Sequence, residues 1–515
     1  MKKTSLKENF VMNILLTTSS VLFSLVTFPY ASRVLLPEGT GRVAFALSIV
    51  SYFSMMASLG IPTYGIRACA QVQDDPGKLN QVVQEIFLIN AGMTVLAYGC
   101  YFCALLLVGQ MRQEKTLFLI CSSTLFFNLI GMEWLYKGLE QYRYIALRSL
   151  GVRAAAIILM LLLVRSQSDY LMYGALTVLA NVGSNILNFI NIRRVISLAP
   201  CKKYHLRRHL RPVFTFFALT VAVTIYTNLD VAMLGFLTSD QQVGYYNAAV
   251  KIKGLLVSFV TALWAVLLPR SSHYVSEGRM DEFSRLIRKA FGFSIFMTAP
   301  MVIYFLVMAR RSILLVSGPA YGGSVLPMRI ITPTIFCIGL TNMIGMQMLV
   351  PTGKEKLVVI STCAGAVTDV ILNLCLIPRY ASAGAALGTL VAEIVVLVVQ
   401  LWTVRTELPG LLAASQLPKI TAALVPATAV LIGVQHLMER WVGGLAVQVV
   451  GVTVLAENTA ARTGNLAYQA GELLGAGESL AGQAGNVAVL AGTAVAFLAT
   501  YVLALWGMGY RAAFR

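Results

Sequence analysis

Charge is what this chain has least of. Only 12% of its 515 residues are Asp, Glu, Lys or Arg, against roughly 25% in an ordinary soluble domain. That scarcity excludes a water-soluble fold of this length. Acidic residues are rarer still, 22 against 40 basic ones, for a net charge of +18. Such a balance would suit a nucleic-acid binder, but here the basic residues gather in the short polar connections between apolar runs. The bias of cytoplasmic loops towards Lys and Arg accounts for them, so no nucleic-acid partner follows. Histidine occurs four times. His205 and His209 have a helical metal-ligand spacing, yet Arg207, Arg208 and Arg211 surround them and oppose a cation. The segment reads as a solvated basic loop, and no metal site is expected. The eight cysteines mostly lie in or beside apolar runs and imply neither a disulfide framework nor a metal site. Gly353-Lys354 is followed by Glu355 and lacks the upstream glycine of a phosphate-binding loop, so an ATP-driven pump is not expected and no cofactor is implied.

Long apolar runs are what the chain has instead. Hydrophobic residues make up 57% of it and the mean hydropathy is +0.75. Runs of about 20 residues recur, each long enough to cross a bilayer as a helix. Lys2, Lys3 and Lys7 precede the first, but Phe10 to Tyr30 is too long for a signal peptide and no cleavage site follows, so it reads as a first transmembrane helix. The expected spans are 10–30, 43–63, 82–108, 117–137, 145–164, 170–191, 213–237, 245–268, 290–309, 327–350, 356–377, 383–404, 419–437 and a last one within 442–507. The fold class is therefore an all-α polytopic membrane protein of about fourteen helices. Basic residues alternate in density from one connection to the next, and the denser set places both termini in the cytoplasm.

The stretch from Pro29 to Arg67 has an echo further on. Gly41-Arg42-Val43-Ala44-Phe45-Ala46 matches Gly244-Tyr245-Tyr246-Asn247-Ala248-Ala249, and Gly174-Ala175-Leu176 matches Gly384-Ala385-Ala386-Leu387. The offsets correspond to six helices, so the halves share an orientation. Parallel repeats of this kind predict two pseudo-symmetric six-helix bundles around a central cavity, residues 1–192 and 213–404. Residues 193–212 form a basic cytoplasmic linker, and 405–515 hold two further helices. One segment, about 456–486, is rich in Ala and Gly and reads as an atypical insertion, poorly suited to a stable helix in water.

A charge near the bilayer centre costs at least about 2.5 kcal/mol, so ionisable residues inside spans face a cavity or a partner. Glu133, Asp230, Asp369 and Glu393 are the acidic candidates, for ion coupling or charge balance. Asp230 either neutralises a lysine or binds a coupling cation. Lys251 and Lys253 stand two apart and cannot share one helix face. With Arg33, Arg67 and Arg148 they make a basic set able to hold an anionic substrate, since arginine takes phosphate bidentately. Asn181, Asn185, Asn188, Asn342 and Asn373 are intramembrane amides, read first as interhelical glue and second as sugar contacts.

The text PYASRVLLPEGTGRVAFALSIVSYFSMMASLGIPTYGIR resembles the first two helices of Wzx-type oligosaccharide flippases, proteins of polysaccharide biosynthesis. So do Glu133-Trp134-Leu135-Tyr136-Lys137-Gly138, Tyr144-Ile145-Ala146-Leu147-Arg148, Val243-Gly244-Tyr245-Tyr246-Asn247-Ala248-Ala249-Val250-Lys251 and Gly384-Ala385-Ala386-Leu387-Gly388-Thr389. The resemblance runs to about Val450 and resumes near Leu490. It implies the multidrug/oligosaccharidyl-lipid/polysaccharide exporter superfamily. It implies a bacterial inner-membrane protein that turns undecaprenyl-pyrophosphate-linked oligosaccharide from the cytoplasmic to the outer leaflet, driven by an ion gradient or the membrane potential. In that reading Arg33, Arg67, Lys251 and Arg148 hold the pyrophosphate or acidic sugars. Membrane lipid surrounds the substrate's tail, and a polysaccharide polymerase and glycosyltransferases are the expected partners. The alternatives are a multidrug exporter of the same superfamily, which needs an acidic cavity, and a membrane polymerase or ligase, which needs a long catalytic external loop.

Overall fold

A computed structural model describes residues 6–197, 199–201, 204–460 and 466–510, with the backbone alone for 441–460 and 466–482. It is 90% helical, with no strand among the described residues. The helices are α1 (Leu6–Ser58), α2 (Ile61–Val72), α3 (Pro76–Leu107), α4 (Gly109–Gln113), α5 (Lys115–Gly131) and α6 (Glu133–Gly138). Next come α7 (Tyr142–Leu163), α8 (Tyr170–Val178), α9 (Asn185–Asn191), α10 (Arg207–Leu237), α11 (Asp240–Ser276) and α12 (Met280–Val307). The chain ends with α13 (Ala309–Ser317), α14 (Val325–Ile331), α15 (Thr334–Asn342), α16 (Glu355–Thr403), α17 (Leu408–Ser415), α18 (Leu417–Ala460) and α19 (Leu466–Gly507). Two compact units result, Met1–Leu255 with Val359–Val396, and Leu256–Val358 with Leu397–Arg515.

Nine helical stretches among the described residues are long and apolar enough to cross a membrane, or up to eleven if each bent pair is one span. Two are too long for one crossing. Val11–Val72 covers 62 residues, about 93 Å of helix, three times a hydrocarbon core of about 30 Å. It kinks at Leu36 (φ 59°, ψ 179°), the residue before Pro37, where proline disfavours helical geometry and removes an N–H. The 49-residue α16 kinks at Ala381 (φ 46°, ψ −126°). Both breaks fall where the sequence places a connection between two spans. Met132 (φ 38°, ψ 43°) ends α5 early, so Glu133 opens a short helix instead of lying deep within a span. The Ala/Gly-rich stretch about 456–486 is not irregular where it is described. α18 runs to Ala460 and α19 starts at Leu466, and the two pack together; residues 461–465 lie outside the described residues.

Within the first unit the two sequence echoes meet. A Cβ on Gly41 would stand 1.8 Å from the Asp240 carbonyl oxygen and 2.8 Å from the Gly244 nitrogen. A Cβ on Gly244 would stand 2.0 Å from the Pro37 carbonyl oxygen. The contact is reciprocal, because Pro37 and Gly41 hold the places in the first echo that Asp240 and Gly244 hold in the second. Beside it Arg42 reaches Glu38 (2.6 Å), Glu114 (3.1 Å) and Asp240 (3.3 Å), with its guanidinium 5.2 Å from the centre of the Tyr170 ring.

The connection into α10 corrects the solvated-loop reading for His209, while the His205 side chain stays exposed. Glu85 of α3 is fully buried and its carboxylate accepts from the His205 N–H (2.7 Å), Gln81 (3.0 Å), Arg208 (2.6 Å) and His209 Nε2 (2.7 Å). The Tyr64 hydroxyl bonds His209 Nδ1 at 2.6 Å. His209 is only 3% exposed. A buried carboxylate needs this many donors, and the connection and the first turn of α10 supply all but Gln81. Upstream, Gln84 donates to the Ser197 and Ala199 carbonyls, and the Ser197 N–H donates to Asn80. At the start of α3, Asp75 Oδ1 accepts from the Gly77 and Lys78 N–H groups at 3.1 Å each. With Pro76 in the first turn, Asp75 is an N-cap and needs no further chemistry.

Candidate functional site

Three of the four acidic candidates converge in the first unit. Asp230 comes from α10, Asp369 and Glu393 from the two halves of α16, and all are buried, at 7%, 1% and 5% exposure. Asp230 does not neutralise a lysine by direct contact; among the described residues no salt bridge closes on it. Its oxygens accept from Asn373 (2.6 Å), Thr389 (2.8 Å) and the Tyr246 hydroxyl. Tyr246 and Thr389 are also linked at 2.9 Å. Glu393 lies against Tyr226, and Lys253 is the cation whose charge bears on both Asp369 and Glu393.

The two halves of α16 come close enough for this because Gly388 has no side chain. A Cβ there would stand 2.4 Å from Asn373 Oδ1 and 3.3 Å from Asp369 Oδ1. Both of those oxygens are buried without a hydrogen-bond partner. Gly388 thus brings two buried acceptors without a hydrogen-bond partner close to one point between the two halves. Among the described residues no group of three His, Cys, Asp or Glu side chains is arranged to hold a metal ion.

Glu133 does not join this cluster. It pairs with Lys137 at 2.8 Å on the wall of a separate cavity of about 470 Å³, bounded by α1, α2, α3, α5, α6, α9 and α10. Trp134, Asn90, Asn128 and Asn185 also line it. Its walls are mostly amides, hydroxyls and apolar surface, with one self-compensated ion pair.

The basic candidates are dispersed. Arg148, in the second turn of α7, is buried at 7% exposure. Its Nη1 donates to the Ser184 carbonyl and, at 3.1 Å, to Ser184 Oγ. Its Nε and Nη2 are buried with no hydrogen-bond partner, and no carboxylate pairs with it among the described residues. Its guanidinium also stands 5.8 Å from the centre of the Tyr144 ring. Arg33 is half-buried and folds back on the Pro29 carbonyl at 2.6 Å. Arg67 and Lys251 are exposed and Lys253 is half-buried, in keeping with the different faces expected of the two lysines. The sequence read Asn373 first as interhelical glue and second as a sugar contact, and gave Thr389 no role. Their spacing along α16 from Asp369 and Glu393, four residues in each case, was the signal for both.

A bent, long-helix fold with charges sequestered in its interior defines a multi-pass membrane protein, and the transporters and flippases it matches make it a transport protein. The profile of the polysaccharide biosynthesis protein family matches residues 6–275, and that of lipid II flippase MurJ matches 152–451. The chain belongs to the polysaccharide biosynthesis protein family, Wzx-type members of the multidrug/oligosaccharidyl-lipid/polysaccharide exporter superfamily. It is 25% identical over 407 residues to the "Putative O-antigen transporter" of Escherichia coli K12, covering 79% of this chain and 98% of that one. Among solved structures it is similar to lipid II flippase MurJ in an inward closed conformation (TM-score 0.60, 16% identity, 96% of this chain and 100% of the other). It is also similar to an inward-facing multidrug resistance MATE family transporter (TM-score 0.58, 13% identity, 76% and 94%). At these identities the structural likeness establishes the fold alone. The two neighbours carry different cargo, so the fold does not choose between glycolipid and drug.

Proposed function

We propose that this chain is a flippase that turns undecaprenyl-pyrophosphate-linked oligosaccharide from the cytoplasmic to the outer leaflet of the bacterial inner membrane. The observation that carries the reading is Arg148, a buried guanidinium with two idle donors and no carboxylate partner among the described residues. A drug exporter for cations has no use for such a group, whereas a pyrophosphate does. Arg33, Arg67 and Lys251 are the further basic groups on the anion's route. The relative printed as an O-antigen transporter and the match to the lipid II flippase profile support a lipid-linked saccharide as cargo. In this reading the chain crosses the membrane fourteen times with both termini in the cytoplasm, as two six-helix bundles that rock by alternating access.

The energy source is an ion gradient acting on Asp230, Asp369 and Glu393. Filling the place beside Asp369 Oδ1 and Asn373 Oδ1 favours one arrangement of α10 against α16, and emptying it favours another. A glycosyltransferase that supplies the substrate and a polymerase that consumes it are the natural partners. The test is where lipid-linked repeat units accumulate in a host lacking this protein. Build-up in the cytoplasmic leaflet, cleared by expression of this chain, supports the reading; build-up in the outer leaflet sinks it.

A multidrug exporter remains the second reading, favoured by the three buried carboxylates. It predicts that the host becomes sensitive to lipophilic cations when the chain is absent, with no change in glycolipid distribution.

A further inference from the structure

The cavity bounded by α1, α2, α3, α5, α6, α9 and α10 is distinct in chemistry from the arginine candidates. At about 470 Å³ it falls within the range of about 300–1,000 Å³ typical of small-molecule sites. Three of its lining groups, Ser54 Oγ, Thr124 Oγ1 and Trp134 Nε1, are buried and have no hydrogen-bond partner. Asn90 and Asn128 add amides that both donate and accept. Idle donors and acceptors around an open space call for a polar occupant able to do both, and an indole wall suits the apolar face of a sugar ring. Charge is the discriminating feature. The one cation on the wall, Lys137, is already paired with Glu133 at 2.8 Å. A carboxylate-bearing sugar would find no free cation and would meet the Glu133 charge, whereas a neutral sugar loses nothing.

We infer that this cavity is a recognition site for an uncharged sugar of the transported oligosaccharide, and that the Glu133–Lys137 pair screens out acidic sugars. The inference rests on the flippase reading and adds a specificity to it. Binding of this kind uses many modest hydrogen bonds whose loss leaves buried partners idle, which is how polar sites reject analogues.

The experiment uses the full chain reconstituted in nanodiscs, with indole fluorescence as readout and Trp134→Phe to assign the signal. Two probes are compared, N,N′-diacetylchitobiose, which is neutral, and digalacturonate, which is acidic. The neutral disaccharide perturbs the Trp134 signal and digalacturonate does not. Glu133→Gln frees Lys137, so digalacturonate binding should rise about tenfold while chitobiose binding holds. Asn128→Leu should weaken chitobiose binding about tenfold with an unchanged melting temperature. Equal binding of both disaccharides to the unaltered chain overturns the inference, and so does a Glu133→Gln variant with unchanged preference. A parallel leaflet assay separates the two levels. A chain that clears neither neutral nor acidic lipid-linked repeats fails as a flippase, and one that clears both equally is a flippase without this selectivity.

Discussion

The crossing of Gly41 and Gly244 yields the sharpest prediction. A methyl group at Gly41 would lie 1.8 Å from the Asp240 carbonyl oxygen, while an ordinary carbon–oxygen contact is about 3.3–3.6 Å. The start of α11 must therefore retreat from α1 by about 1.5 Å. The obstacle is main chain, so no rotamer relieves it. Overpacking of this kind costs about 1–3 kcal/mol, roughly a five- to 150-fold shift between arrangements in which these helices touch and those in which they part. The same retreat stretches the Arg42–Asp240 pair, at 3.3 Å, beyond ion-pair range. In the topology proposed above this end faces the periplasm, so Gly41→Ala and Gly244→Ala should both populate an outward-open form. The assay is labelling of a single cysteine at Gln241, in a background without native cysteines, by a membrane-impermeant maleimide. Labelling should speed up at least fivefold in either variant. Arg42→Ala keeps the crossing and loses only one partly exposed ion pair across it, with Asp240, worth at most about 1 kcal/mol, so it should speed labelling by less than either glycine variant. Unchanged labelling and unchanged melting in both glycine variants would refute the tight crossing.

Three further outcomes follow. Asp230→Asn should insert and fold normally yet lose gradient-dependent transport, because it removes the charge that three hydrogen bonds now serve; normal rates at every imposed ion gradient would remove the coupling role. Arg148→Met should leave thermal stability unchanged or raise it by about 1–3 kcal/mol, since it deletes a buried charge without a carboxylate partner, while transport falls tenfold or more; a large loss of stability would mark Arg148 as structural. Burial pushes the His209 imidazole below its ordinary value of 6.5, against the opposing pull of Glu85. The unfolded chain then binds more protons here than the folded one as pH falls through 6.5, so the contribution of His209 is present at neutral pH and fades in acid. Amide exchange in residues 204–211 should accelerate between pH 7.5 and 5.5 beyond its intrinsic pH dependence, and His209→Asn should blunt that difference.

The apolar runs made the helical membrane fold legible, because bilayer thickness sets a length that few other structures share. The carboxylates were legible for the complementary reason that an ionisable group in such a run demands an explanation. That logic found Asp230, Asp369 and Glu393 but passed over Glu85, which lies near the start of the third run and is just as buried. The break at Met132 left little trace, since a non-glycine residue in left-handed geometry has no reliable sequence mark. Neutral partners were the least visible. Tyr246 and Asn128 take their meaning from what other helices bring to them, and no spacing within one helix reveals that.

The docked connection between α9 and α10 changes how motion can travel. A slack tether would fix only the local concentration of one half of the chain near the other. Here Ser197 and Ala199 are held by Asn80 and Gln84 of α3, and His205, Arg208 and His209 are held by Glu85 of the same helix. Described residues on both sides of the segment are tied to one helix, so a tilt of α3 should carry the start of α10 with it. That helix carries Asp230 about six turns further along, so the joint and the buried carboxylates share a single lever.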